Sequence, residues 1–221
     1  MFVEQQERLL MNRLFIFILL AIEATFAQES ATERKLLKEA RVTKGDIFNP
    51  EEFQIELKDL VIRTDIYGHL VSGKEKKSVD LGKGFFTSTI HFLDGDSTAI
   101  LFFEIADGEG SSNDVYCIDK KTLKTIWSSV LLSFNLTVGE AVNDTLYLSA
   151  GENAYAMSIS GGSILWQTPG LYFNYGFNSF DSIAIDEETI RLKGKSNSGE
   201  RGEIFRTATL EKSSGKILGV K

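Results

Sequence analysis

From Phe53 onward the apolar residues fall in short runs rich in Val, Ile, Phe, Tyr and Thr. Clusters of Gly, Asp, Asn and Ser interrupt them about every ten residues, the spacing of short strands joined by turns. Asp94-Gly95, Asp107-Gly108, Asn143-Asp144, Gly161-Gly162 and Ser213-Ser214-Gly215 supply the residues that tolerate positive φ or close local side-chain turns. Between them strands are predicted over 99–105, 114–118, 145–148, 153–157, 182–185 and 189–192. Several of these runs are almost continuously apolar rather than alternating, which predicts sheets covered on both faces. The expected fold class is all-β.

The chain upstream reads differently. Residues 28–45 are polar and helix-favouring, with Leu36, Leu37 and Ala40 as a narrow stripe among Glu33, Arg34, Lys35, Lys38, Glu39 and Arg41. That pattern predicts a short surface helix or a flexible lead. Asn49-Pro50 marks its end, because the residue before a proline is pushed out of the helical region. Further upstream, Met11-Asn12-Arg13 and the apolar run Leu14 to Ile22 have the form of a signal peptide, with Thr25-Phe26-Ala27 placing cleavage after Ala27. Met11 is read as an alternative start, since the ten residues before it carry Glu4, Glu7 and Arg8. The apolar run stops at Glu23, short of the ~20 residues that cross a bilayer. The expected organisation is therefore a signal peptide over 1–27, a polar helical lead over 28–49 and a β-repeat domain over 50–221. A secreted or periplasmic location follows, and not an integral membrane protein.

Charge narrows the partners. With 24 basic and 31 acidic residues the net charge is −7, which repels a phosphate backbone, and nucleic acid is not an expected partner. The single cysteine, Cys117, allows no internal disulfide and reads as a small buried hydrophobe.

The most informative feature is a repeat. Val115 to Trp127 aligns without gaps on Ala154 to Trp166, the two tryptophans lying 39 residues apart. A degenerate third copy runs from Ala208 to Gly219, where Glu211 and Lys212 match Asp119 and Lys120 and Gly219 stands in place of the tryptophan. Each copy reads as a hairpin. A strand carrying Tyr116 or Tyr155 leads into a turn in which Asp119 or Glu211 accepts backbone N–H bonds and Gly162 or Gly215 takes the left-handed conformation. The return strand ends in Trp127 or Trp166, whose ring is large enough to bury against a neighbouring unit.

This pattern resembles the tryptophan-docking repeat of pyrroloquinoline-quinone (PQQ) enzyme-like β-propellers, a family that includes quinoprotein dehydrogenases and a non-catalytic propeller of the bacterial outer-membrane barrel-assembly machinery. The resemblance covers about 40 residues in each of two units. It departs from the pattern at Leu123 for glycine, Ser158 for aspartate and Gly219 for tryptophan. It implies a small or incomplete propeller of about four antiparallel blades, with units over 85–129, 137–169 and 180–221 and a divergent or incomplete first blade over 53–84. An open arc of this kind invites completion by a second copy or a partner, since free outer strands are a hazard. The alternative is two similar hairpins in a β-sandwich.

Candidate chemistry is sparse. His69 and His91 are the only histidines and read as ordinary polar strand residues. No nucleophile elbow, Walker loop or dinucleotide fingerprint occurs. The acidic stretch Asp107 to Asp114 fits no EF-hand spacing and reads as a solvated hairpin connection. The metal ligands and base of a quinoprotein cannot be mapped onto this chain, so no cofactor is expected. The function expected is an exported, non-catalytic binding or scaffold module that recognises a protein, a saccharide or another extended ligand through its loops. The alternative is a secreted enzyme or quinone-binding protein. One segment stands apart: Tyr172, Phe173, Tyr175 and Phe177 crowd into Leu171 to Phe180. They form either an exposed binding patch or a plug within the core.

Overall fold

The computed structural model describes residues 33–46, 50–72, 78–80, 87–107, 110–133, 135–151, 153–197 and 203–221. The expected signal peptide lies outside them. The polar lead is where the structure departs from expectation. Residues 34–45 are not helical but form three short strands, β1 (Arg34–Leu36), β2 (Lys38–Glu39) and β3 (Arg41–Gly45). Helix propensity is worth only tenths of a kcal/mol per residue, and here it loses to open strand edges elsewhere in the chain. Leu37 N–H donates to Gly139 O at 2.9 Å and Ala40 N–H to Ile90 O at 2.8 Å. Ala40 is buried, and Leu37 and Val42 pack on the core. Gly139 permits the approach: a Cβ there would lie 3.3 Å from the Leu37 side chain.

The rest of the chain folds as four antiparallel meanders. The first is β4 (Pro50–Glu56), β5 (Val61–Asp65), β6 (His69–Ser72) and β7 (Ser78–Asp80); the second is β8 (Thr87–Asp94), β9 (Thr98–Asp107), β10 (Gly110–Asp119) and β11 (Thr125–Leu131). The third is β12 (Leu136–Val142), β13 (Thr145–Ala150), β14 (Asn153–Ser158) and β15 (Ile164–Thr168). A single helical turn, α1 (Leu171–Tyr175), leads to the fourth, β16 (Phe177–Ile185), β17 (Thr189–Asn197), β18 (Glu203–Glu211) and β19 (Ile217–Val220). The lead adds one strand to the first strand of three meanders in turn. β3 pairs with β4, β2 with β8 and β1 with β12, each antiparallel. Only the fourth sheet has no such fifth strand among the described residues.

Packing follows chain order. In β9, Leu101 and Phe103 join Phe53, Ile55 and Ile62 of the first sheet, whereas Ile100 and Phe102 join Leu146 and Leu148 of the third. In the third sheet, Tyr155 and Met157 face the second, and Tyr147, Ala154 and Ala156 face Phe180, Ile190 and Leu210 of the fourth. Both middle sheets are thus covered on both faces, which is why their strands lack polar alternation. Cys117 is a buried free thiol in the second of these clusters. Four sheets stacked in series replace the two facing sheets of a sandwich. Among the described residues, no apolar cluster joins the fourth sheet to the first, and no helix is long and apolar enough to cross a membrane.

Candidate functional site

The three repeat copies close with the same backbone turn. Leu123, Gly162 and Gly215 donate their N–H to Asp119, Ser158 and Glu211 carbonyls at 2.7, 2.9 and 2.8 Å. All three residues have positive φ, at 56°, 69° and 71°. Asp119 Oδ1 also accepts the Thr122 N–H and hydroxyl at 2.7 and 2.8 Å, and Glu211 accepts the Ser214 hydroxyl. The degenerate third copy therefore keeps the turn although it has lost the tryptophan.

The tryptophans reach across sheets. Trp127 Nε1 donates to Ile159 O at 3.1 Å, and its ring lies against Gly162 so closely that a Cβ there would sit 2.4 Å from Cε3. Trp166 repeats this one sheet further on. Its Nε1 donates to Lys212 O at 3.0 Å, and a Cβ at Gly215 would sit 2.5 Å from its Cε3. Glycine is needed at both turns for two reasons at once, the left-handed backbone and the ring stacked on it.

Two of the three departures from the repeat, Leu123 and Gly219, follow from position in the stack. Described residues of the first sheet include no tryptophan, so no ring presses on the turn of the second, and Leu123 there is 1% exposed in the core between those sheets. Gly219 sits at the end of the array and has open space around it. Leu123→Gly is expected to relieve left-handed strain of about 1 kcal/mol while losing a larger burial term, a net loss of about 2 kcal/mol. Urea unfolding measures this, and a stabilised variant would show that Leu123 is not part of the core.

Tyr116 and Tyr155 hold equivalent strand positions, and each faces the sheet before its own. Tyr116 packs edge-on to Phe103 at 5.8 Å between the first and second sheets, and burial and the Asp114 carboxylate push its hydroxyl up to about 12. Tyr155 is buried between the second and third sheets, where its hydroxyl accepts from Asn153 Nδ2 at 3.2 Å. A further repeat is visible only in three dimensions. The turns after the first strands place Asp94, Asp144 and Asp186 beside the docking turns: Lys120 Nζ lies 2.6 Å from Asp94 Oδ1, Ser160 N–H donates to Asp144 Oδ1 at 2.8 Å, and Lys212 Nζ donates to Asp186 O at 3.2 Å. In the sequence Asp94 and Asp144 read only as turn residues.

The aromatic segment divides. Phe177 is 2% exposed and stacks on Phe180 at 4.8 Å, so it belongs to the core and not to a surface patch. Tyr175 is half-buried, and its carbonyl accepts from Arg206 Nη1 at 2.7 Å. The side chains of Tyr172 and Phe173 lie outside the described residues.

The histidines also differ from each other. His69 Nδ1 lies 2.7 Å from Asp65 Oδ2 at an exposed turn. His91, on β8, is 8% exposed, its Nδ1 has no hydrogen-bond partner, and burial lowers its pKa to about 4. It lines a groove of about 440 Å³ with Glu39, Glu104 and Asp181. Among the described residues, no three His, Cys, Asp or Glu side chains are placed to hold one metal ion. No family model and no curated protein matches the chain.

Proposed function

We propose that this chain is an exported, non-catalytic binding or scaffold module of β-propeller type, whose four sheets are blades of an open arc. Its partner is a protein, a saccharide or another extended ligand. The observation that carries the reading is the double tryptophan docking, Trp127 on the Gly162 turn and Trp166 on the Gly215 turn. This contact sets the second sheet against the third and the third against the fourth by a rigid ring and one hydrogen bond, which suits a scaffold presenting loops at fixed spacing. An enzyme or quinone-binding protein is the competing function, and fold by itself does not decide between them.

Titration with PQQ and Ca²⁺, followed by tryptophan fluorescence and dye reduction, separates the two. No saturable quenching and no dye reduction are expected. Saturable binding with dye-reducing activity would replace the binding-module reading by the enzyme one. Export is tested by expressing the chain with its leader and sequencing the N-terminus of the exported product. Gln28 is the expected first residue, and retention of the leader in a membrane fraction would overturn it.

A further inference from the structure

The first strands β4, β8 and β12 each carry a short antiparallel strand from the lead, and β16 carries none among the described residues. Along β16 runs the groove that His91 lines. Its walls come from β8, β9, β12, β16 and the lead, and they include Glu39, Glu104 and Asp181 but no lysine or arginine. Burial pushes the Glu104 carboxyl up, the Asn135 N–H pulls it down, and the Glu39 charge pushes it up again. Gathering carboxylates here costs stability unless a cation answers them.

The buried His91 ring adds a second, independent sign of a ligand. A polar atom held out of water with no partner is costly, and His91, which lines this groove, carries such an atom at Nδ1. A single metal ion does not satisfy the groove, since its acidic groups do not converge on one point. Cationic groups spread along an extended ligand do. The strand edge narrows the choice further, because alternating N–H and C=O groups are matched by a peptide backbone and not by a polyamine. The chain itself shows the mode: Arg34 of β1 bridges Glu140 Oε1 at 3.2 Å and Ile185 O, at the end of β16, at 2.9 Å.

We propose that the edge of β16 and the adjoining groove of Glu39, Glu104, Asp181 and His91 bind an extended lysine- or arginine-bearing segment of a protein partner, added antiparallel as the fifth strand of the fourth sheet. The added strand is short, as β1, β2 and β3 are, because bulges near Phe177 and Phe180 interrupt the regular ladder of β16. The inference rests on the binding-module reading and moves the contact from the loops to a strand edge.

The test titrates the full chain with a short alternating Lys-Thr peptide, its Glu-Thr counterpart, a Lys-Thr peptide N-methylated on alternate backbone nitrogens, and spermine. Saturable binding of the first alone is expected, weakened by about tenfold or more in Glu104→Gln/Asp181→Asn and unchanged in the charge-matched Glu187→Gln/Glu188→Gln. Circular dichroism confirms that each variant is folded. If both variants weaken binding equally, or the N-methylated peptide or spermine binds as tightly as the parent, the strand-edge site is overturned. No binding of the Lys-Thr peptide at low salt also overturns it. None of these outcomes touches the module reading, which fails separately on quinone reduction.

Discussion

Trp127→Ala is expected to destabilise the protein by about 3 kcal/mol, because the ring and its bond to Ile159 O couple the second and third sheets. Gly162→Ala reaches the same contact from the other side. It strains a residue at φ 69° and drives a Cβ into the indole, for a loss of about 3 kcal/mol. The two changes are not independent. With the ring removed, an alanine at 162 has room and retains only its backbone strain, so the double variant should lose about 1–2 kcal/mol less than the sum of the single losses. Urea unfolding monitored by circular dichroism gives the cycle, with Trp166 and Gly215 as an internal repeat. Strict additivity would show that the ring and the turn glycine do not support each other, and would remove the basis of the docking assignment.

How far the sequence reveals this depends on how local each signal is. The docking hairpins are legible because Trp127, Trp166 and the turn residues recur at a fixed offset, and each turn is closed by bonds spanning four or five residues. The departure at Leu123 is interpretable only with the neighbouring sheet in view. What makes leucine acceptable there is the missing tryptophan of the sheet before it. The lead is illegible for a stronger reason. Its helical composition is local, whereas β1 and β2 answer the edges at Val142 and Phe92, distant in sequence, and β3 turns back as a hairpin onto β4. Phe177 reads as part of an aromatic cluster, yet the strand it begins turns its ring onto Phe180 and into the core. The groove is the least legible of all, since Glu39, His91, Glu104 and Asp181 come from four separate elements and share no spacing.

His91 also makes the fold acid-sensitive in a window of its own. In the unfolded chain the imidazole binds a proton near 6.5, whereas burial holds it near 4 in the native state. Between those values the unfolded state binds more protons, so stability is full above pH 6.5 and falls as the pH drops toward 4. The loss approaches about 3 kcal/mol. Glu104 works in the opposite direction, because its carboxyl is raised by burial and the native state takes up its proton before the unfolded chain does as the pH falls. Asp94 acts elsewhere: burial pushes its carboxyl up, but Lys120 and the Lys58 N–H outweigh that and hold it low, so its contribution is lost only below the ordinary carboxylate range. The expected result is a fall in urea midpoint between pH 7 and pH 4.5 in the native protein that is largely absent in His91→Gln. If the variant keeps the same slope, the titrating group is not His91. A bound basic segment supplies a cation beside His91 and should disfavour its protonation further, so with saturating Lys-Thr peptide the His91-linked loss is expected to begin near pH 6.5 as before but to continue to lower pH.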